Sequence, residues 1–520
     1  MAELADATTL AAMWRRAVHR APHDTFLVFE RPDGDICSWT YGELDRSVAC
    51  AGRFLRDRGV SAGSAVHIAL TNSPTFVAVW LAAANLGAWI VPSDPMATTP
   101  ELSGHIARTR PVVAFCGADR VATYRAAVDH TNDVHVVAIN ESDTGLDGFG
   151  ATPLRSWPTP GVADRAAVMF TSGTTGPPKG VEITQGNYAF AGSTMAAASG
   201  LQAHHRQLVV LPLFHANAQY YSFAAAIAVG ASVALMHTFS ASAFLAQAAR
   251  HEATHASLFA APIRMILARG STPVPGMRLQ HCWYAMNISD DQYDTIASLL
   301  GCRPRQLYGM TETIPAVLTD RADAPLAASM GFVTEGCTVE VHRGDGTVAA
   351  PDEVGEIVVG GSPGTTLFAG YLDDPGTTAA SFRGHWFLTG DRARRDATGR
   401  FTFDGRRSDV LKVAGENVST VEVEQVLSAH PGVLEAAVVG RPDPVRDEVP
   451  VGFVVAADPA HPPSADELHA WCASRLATAK RPRDITFVEQ LPRTSVGKIR
   501  TFLLRDPDAE RSAAPTGVPA

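Results

Sequence analysis

The sequence reads as an α/β protein: a large N-terminal unit of mostly parallel sheets covered by helices, a small β subdomain, and a small α+β domain near the C-terminus. Three observations carry this reading. Short apolar runs alternate with amphipathic stretches from residue 10 to 308. Between 330 and 405 the texture changes to short strands broken by Gly/Asp turns such as GDGT, DATGR and FDGR. After Arg406 a compact α+β pattern follows, with enough chain for a separate domain.

The elements follow in order. Residues 41–58 place Leu44, Val48, Ala51 and Leu55 at helical spacing. A short strand is expected at 65–70, a buried helix at 76–86 running into a buried strand at 88–91, a helix at 101–110 and a strand at 112–116. Short apolar strands alternating with helices argue for a parallel sheet covered on both faces. The alternation repeats from 166 to 308. Toward the C-terminus the pattern predicts helix 421–429, strands 434–439 and 451–456, helix 465–478 and strand 485–487. The last stretch, 506–520, is rich in Asp, Pro, Ala and Ser and reads as a flexible tail.

Composition excludes several function classes. Apolar residues make up 46 % and charged residues 18 %, so the chain buries a large core. The net charge of −10 and the lack of a basic block argue against nucleic acid. The N-terminus MAELADATTL has no apolar signal core. The longest apolar run, 76–91, falls short of the roughly 20 residues a membrane span needs. Seven cysteines without a CxxC pair favour reduced thiols and a cytoplasmic location. Only four of the 43 lysine and arginine residues are lysine: Lys179, Lys412, Lys480 and Lys498. A chain that writes nearly every cation as arginine draws attention to the lysines it keeps.

Two motif matches fail on physical grounds. His251-Glu252-Ala253-Thr254-His255 matches HExxH, but that zinc pattern needs one continuous helix. Here a helical pattern gives way to a β-like run closed by Pro262. Gly360-Gly361-Ser362-Pro363-Gly364 matches the nucleophile elbow GxSxG. The elbow needs the N–H after the serine, and Pro363 has none.

The strongest chemical signal is the run Thr171, Ser172, Gly173, Thr174, Thr175, Gly176, Pro177, Pro178, Lys179, Gly180, placed after a strand-like run at 166–170. Glycines let backbone amides approach an anion closely, while hydroxyls and a lysine supply donors and charge. The Walker A pattern GxxxxGK[ST] is not satisfied.

This run resembles the phosphate-binding loop of the adenylate-forming superfamily, which includes acyl- and aryl-CoA synthetases, amino-acid adenylation domains and firefly luciferase. Further motifs follow in family order. Pro212-Leu213-Phe214-His215 resembles the pocket motif, and Tyr308-Gly309-Met310-Thr311-Glu312 the adenine and magnesium motif. Gly370-Tyr371 and then Trp386-Phe387-Leu388-Thr389-Gly390-Asp391 resemble the ribose motif. The stretch 405–416, with Arg406, Ser408 and Gly415, resembles the hinge and the loop beyond it. Leu491 to Lys498 resembles the catalytic-lysine motif. The resemblance implies an N-terminal domain over 1–405, with two parallel-type αβαβα subdomains and a small β-barrel-like subdomain. It also implies a hinge at 406–408 and a small mobile α+β C-terminal domain over 409–505.

The resemblance also implies roles. The loop 171–179 would hold the β and γ phosphates of ATP. Tyr308, with Gly309 and Met310, would hold adenine, and Thr311 the α-phosphate. Glu312 would hold Mg²⁺. Asp391 would accept both ribose hydroxyls, and Arg406 would reach the ribose–phosphate region. Lys498 would bridge the substrate carboxylate and the α-phosphate, with Thr311 and His215 beside the reaction. Ser408 would be the pivot of the C-terminal domain, where relatives usually carry Asp or Lys. Gly415 would line the coenzyme A tunnel.

The implied activity is an ATP-dependent carboxylic acid–CoA ligase using ATP, Mg²⁺ and coenzyme A. His215 stands where amino-acid-activating relatives place an Asp, which argues for a plain carboxylic acid. Expected pocket residues are His215, Tyr220, Tyr221, Phe259, Ala260, Tyr284, Ala285, Met286 and Ile314, largely apolar. Relatives usually show Gly-Gly-Ala near 284–286, so the side chains here favour a shorter, aromatic or compact acid over a straight fatty chain. Two alternatives remain open at this point: a ligase that loads a separate acyl carrier protein, and a non-catalytic nucleotide-binding relative.

Overall fold

The computed structural model describes residues 8–505 apart from 129–133, 142, 172–177, 324, 407–409, 414–415, 444–445 and 494–498. Ser172, Gly173, Thr174, Thr175, Gly176, Ser408, Gly415 and Lys498 therefore lie outside the described residues, as does the expected tail 506–520.

Two sheets form the large unit. The first has seven strands in the spatial order Gly370–Tyr371, Lys179–Thr184, Arg165–Thr171, Trp89–Pro92, Ala65–Ala69, Val113–Gly117, His135–Ile139. The five from Arg165–Thr171 onward pair in parallel. Lys179–Thr184 turns back antiparallel on Arg165–Thr171, so residues 172–178 connect the arms of a hairpin. The apolar run read as a buried helix is one. Every residue of Pro74–Leu86 is buried, as expected for a helix apolar on all sides. Its ends follow from local chemistry: the Ser73 side chain caps the start, and Gly87 closes the end at φ 71°.

The second sheet has nine strands: Phe332–Val333, Leu318–Thr319, Arg305–Tyr308, His281–Ala285, His255–Phe259, Arg206–Val209, Ser232–Met236, Thr25–Glu30 and Ile36–Thr40. The six from Arg305–Tyr308 to Thr25–Glu30 run in parallel. The hairpin 25–40 thus joins the second sheet, although its neighbours in sequence build the first. Apolar periodicity shows that Thr25–Glu30 must be buried, not which sheet buries it. Gln185 ties the layers together. Its Oε1 accepts from Ala11 N (3.1 Å) and its Nε2 donates to Ala84 O (2.9 Å), joining three helices through one fully buried amide.

Residues 338–406 form a five-stranded antiparallel sheet, and 410–487 form another five-stranded sheet packed with helices Thr420–Ser428 and Ala465–Ala473. In the latter unit Lys480 Nζ bonds both oxygens of Glu422 at 2.7 Å, a structural ion pair. Among the described residues, no helix is long and apolar enough to cross a membrane.

Both excluded motifs behave as argued. Helix Phe244–Arg250 ends before His251, Glu252 turns at φ 50°, and His255 begins a strand. His251 contacts Glu30 (2.6 Å), while His255 contacts Thr254 (2.9 Å). Ser362 sits in a tight turn whose carbonyl accepts the amides of Thr365, Thr366 and Leu367.

Behind the first sheet lies a buried polar network. Ser93 Oγ contacts His67 Nε2 (3.0 Å) and His105 Nδ1 (2.9 Å), and the Tyr124 hydroxyl contacts His67 Nδ1 (2.7 Å). Burial pulls His67 down to about 3 and His105 to about 4. Unfolded histidine titrates near about 6.5, so below that pH the unfolded chain binds protons that the folded chain does not. Stability should therefore fall as pH drops from about 6.5 to about 4, by up to about 1.4 kcal/mol per pH unit for each histidine. Denaturant unfolding at pH 7, 6 and 5 should show this loss, and His67→Gln should make it shallower. An unchanged slope in that variant would contradict the assignment.

Candidate active site

Parallel strands end at the same edge of a sheet, so their following loops converge. At this edge, Arg206–Val209 leads to 212–215, His255–Phe259 to Ala260, His281–Ala285 to Met286, and Arg305–Tyr308 to 309–312. Arg165–Thr171 leads into residues 172–178 from the first sheet.

Asn72 fixes the loop leading to His215. Its Oδ1 accepts from Leu213 N (2.7 Å), and its Nδ2 donates to Leu211 O and Met236 O. The His215 ring leans on Phe214 with centres 4.4 Å apart. The chain then enters a π-helical stretch, Asn217–Ala224, that carries buried Tyr220 and Tyr221. Such wide turns are rare and frequent at functional sites. Gly309 faces Tyr221 closely: a Cβ there would lie 3.0 Å from the Tyr221 hydroxyl and 2.9 Å from Ala316 Cα. Only a glycine leaves that floor open.

Buried carboxylates stand at both ends of 308–312: Asp391 against Tyr308, and Glu312 as its last residue. The Tyr308 hydroxyl donates to Asp391 Oδ2 (2.7 Å). Burial first, and the Asp391 charge second, push that hydroxyl well above its ordinary range, so it stays a donor. Arg406 Nε lies 2.9 Å from Asp391 Oδ1, the two residues being register partners on adjacent antiparallel strands. On the other side, the Tyr371 hydroxyl donates to Glu312 Oε1 (3.1 Å), and Glu312 O accepts from Phe368 N (2.9 Å). Lys179, which pairs with Thr171 in the hairpin, holds its Nζ 4.8 Å from the Tyr371 ring centre. Thus Lys179, Tyr371 and Glu312 form one chain of contacts, and Tyr308, Asp391 and Arg406 form a second. Thr311 and Met310 lie between them in the sequence, with Met310 N bonded to Thr313 Oγ1 (2.9 Å).

The expected pocket wall divides. Tyr220, Tyr221 and Ile314 belong to one apolar cluster, against which Ala285 packs. Tyr284 and Ala260 belong to a second, against which Phe259 packs. Neighbouring strand residues point to opposite faces, so Tyr284 and Ala285 cannot share a wall. The Tyr284 hydroxyl instead donates to Ala327 O (2.9 Å). Met286 is exposed and holds φ 73°. Sequence reasoning missed Asn72 and the supporting role of Tyr371. Neither has a local signature, because each acts on a partner far away in the chain.

The residues fit a magnesium-bound nucleotide. Glu312 offers a buried hard-oxygen donor, and Mg²⁺ is often held by one or two carboxylates together with substrate phosphates. Among the described residues, no cluster of three or more His, Cys, Asp or Glu forms a separate metal cage.

The sequence matches the AMP-binding enzyme family over residues 14–372 and the AMP-binding enzyme C-terminal domain over 422–498. The chain belongs to the AMP-binding enzymes. It is 30 % identical over 504 residues to a crotonobetaine/carnitine–CoA ligase of Salmonella agona (strain SL483), covering 94 % of this chain and 97 % of that one. Its fold is similar to a benzoate CoA ligase from Burkholderia xenovorans LB400, with a TM-score of 0.86, 25 % identity, and 96 % and 100 % of the chains covered. An anthranilate CoA ligase in complex with anthranoyl-AMP matches with a TM-score of 0.86, 25 % identity and 97 % of each chain covered. The large N-terminal unit and small C-terminal unit of this AMP-binding enzyme agree with those structures.

Met286 occupies backbone space where glycine is the ordinary residue. Met286→Gly should gain about 0.5–1 kcal/mol by relieving that strain. Guanidinium unfolding checks this, and a destabilised variant would show that the methionine side chain packs usefully.

Proposed function

We propose that this AMP-binding enzyme is an ATP-dependent carboxylic acid–CoA ligase acting on a compact, largely apolar acid. The observation that carries the reading is the pair of buried carboxylates at the two ends of 308–312, Asp391 and Glu312, each held by a tyrosine hydroxyl. Asp391 would accept the ribose hydroxyls, with Tyr308 stacked on adenine above Gly309. Arg406, already on Asp391, would reach the ribose–phosphate region. Lys179 and the loop 171–179 would hold the β and γ phosphates. Glu312 would bind Mg²⁺, which neutralises phosphate charge.

In the first half-reaction a carboxylate oxygen of the acid attacks the α-phosphorus of ATP. The bond to the β-phosphate oxygen breaks, and pyrophosphate leaves with the electron pair. Lys498 would offset the charge shared by the carboxylate and α-phosphate, with Thr311 and His215 lining the same space. In the second, the thiolate of coenzyme A attacks the acyl carbon and AMP leaves. Rotation of the C-terminal unit about Ser408 would exchange Lys498 for the Gly415 loop between the two steps. Buried Tyr220 and Tyr221 support a compact acid. So do the structural relatives, which include ligases of benzoate and anthranilate.

Pyrophosphate release with ATP and a panel of benzoate, anthranilate, crotonate and octanoate, with and without coenzyme A, tests the reading. The expected result is acid-dependent release and an acyl-CoA product with the shorter or aromatic acids. Release with no thioester would overturn the choice of acceptor, and no release with any acid would count against catalysis. Lys498→Ala should lower acyl-adenylate formation by roughly 100-fold or more while sparing thioester formation from preformed adenylate. Ser408→Asp should change the ratio of the two half-reaction rates, and an unchanged ratio would remove the idea that a serine at the pivot shifts the balance of poses.

A further inference from the structure

The hairpin that carries the phosphate-type loop is gripped by one face of a neighbouring helix. Thr99–Thr109 starts from a capping box between Thr98 and Glu101. It places His105 and Arg108 three residues apart, on the same face. His105 lies flat on Phe170, the residue before Thr171, with ring centres 4.1 Å apart and planes 8° apart. The Arg108 guanidinium carbon lies 5.0 Å from the centre of that same ring. Arg108 Nη1 donates to Pro178 O (2.6 Å), at the far end of the loop, and Nη2 to Leu372 O (3.4 Å), beside Tyr371.

One side chain therefore touches Phe170 on one arm, Pro178 just before the other, and Leu372, the residue after the strand that carries Tyr371. His105 is anchored in turn through Ser93 to the buried His67 network. Burial keeps the His105 ring uncharged at neutral pH, so it does not repel Arg108.

We propose that Arg108 is a positioning residue for Lys179, bracing the two ends of the hairpin at Phe170 and Pro178 so that the ammonium meets the β and γ phosphates of ATP already in place. This rests on the reading of 171–179 as the phosphate site. The physical gain is preorganisation: a side chain held in place before binding loses less freedom when the nucleotide arrives. The planar fork of arginine reaches two carbonyls at once, which the single ammonium of lysine does less well.

The test compares binding of MgATP and of AMP, which lacks the β and γ phosphates, by calorimetry on the full chain. Arg108→Ala should weaken MgATP binding about tenfold and leave AMP binding within about twofold. Arg108→Lys should fall between, and it guards against loss of folding in the alanine variant, with melting curves recorded for both. Equal weakening of MgATP and AMP, or no weakening of either, would overturn the positioning role. Lys179→Ala serves as the reference. If it binds MgATP as tightly as the unaltered chain, the phosphate-site reading itself fails, and the proposal falls with it.

Discussion

The rest of the site depends on how two buried carboxylates are given polar partners in place of water. Burying a carboxylate is costly unless hydrogen-bonding or charged partners replace the water it loses. Asp391 has the Tyr308 hydroxyl and the Arg406 guanidinium, and Glu312 has the Tyr371 hydroxyl among its contacts. Each tyrosine is itself held protonated by burial, which makes it a reliable donor. The partners come from distant parts of the chain: a parallel strand end, an edge strand, and the antiparallel subdomain. Satisfying these acids therefore locks separate units of the N-terminal domain into one geometry.

That geometry uses the polarity of parallel sheets. Strand ends from both large sheets point their loops to common edges, and short antiparallel additions close the site. The two-residue strand Gly370–Tyr371 pairs with Lys179–Thr184 and so sets Tyr371 beneath Lys179. The lysines sort accordingly. Lys179 stands over the Tyr371 ring at the end of the hairpin, while Lys480 serves a structural pair with Glu422. Arg108 shows the complementary use of arginine, as a brace between backbone carbonyls.

Much of the fold was legible. Helices Tyr41–Asp57 and Pro74–Leu86 lie close to where apolar spacing placed them, and strands Ala65–Ala69 and Val113–Gly117 agree with the expected ones within a residue or two. The alternation of strand and helix correctly implied parallel pairing. Sheet membership was not legible, as the hairpin 25–40 shows, because a buried strand carries the same pattern whichever sheet receives it. Nor was the division of the pocket wall: Tyr284 and Ala285 are adjacent in sequence, and their separation depends on which face of the strand looks toward Tyr220 and Tyr221.

By itself the sequence determined the family, the element pattern and the chemical types at the site: a hydroxyl- and glycine-rich loop with a lysine, two acids, and aromatic residues near both. Those properties are local, set by residue identity and short-range spacing. Only the tertiary structure decided that Tyr371 holds Glu312, that Tyr308 and Arg406 share Asp391, and that Arg108 bonds Pro178 from 70 residues away in the chain. These are contacts between segments far apart in the chain, and burial, strand order and register fix them together.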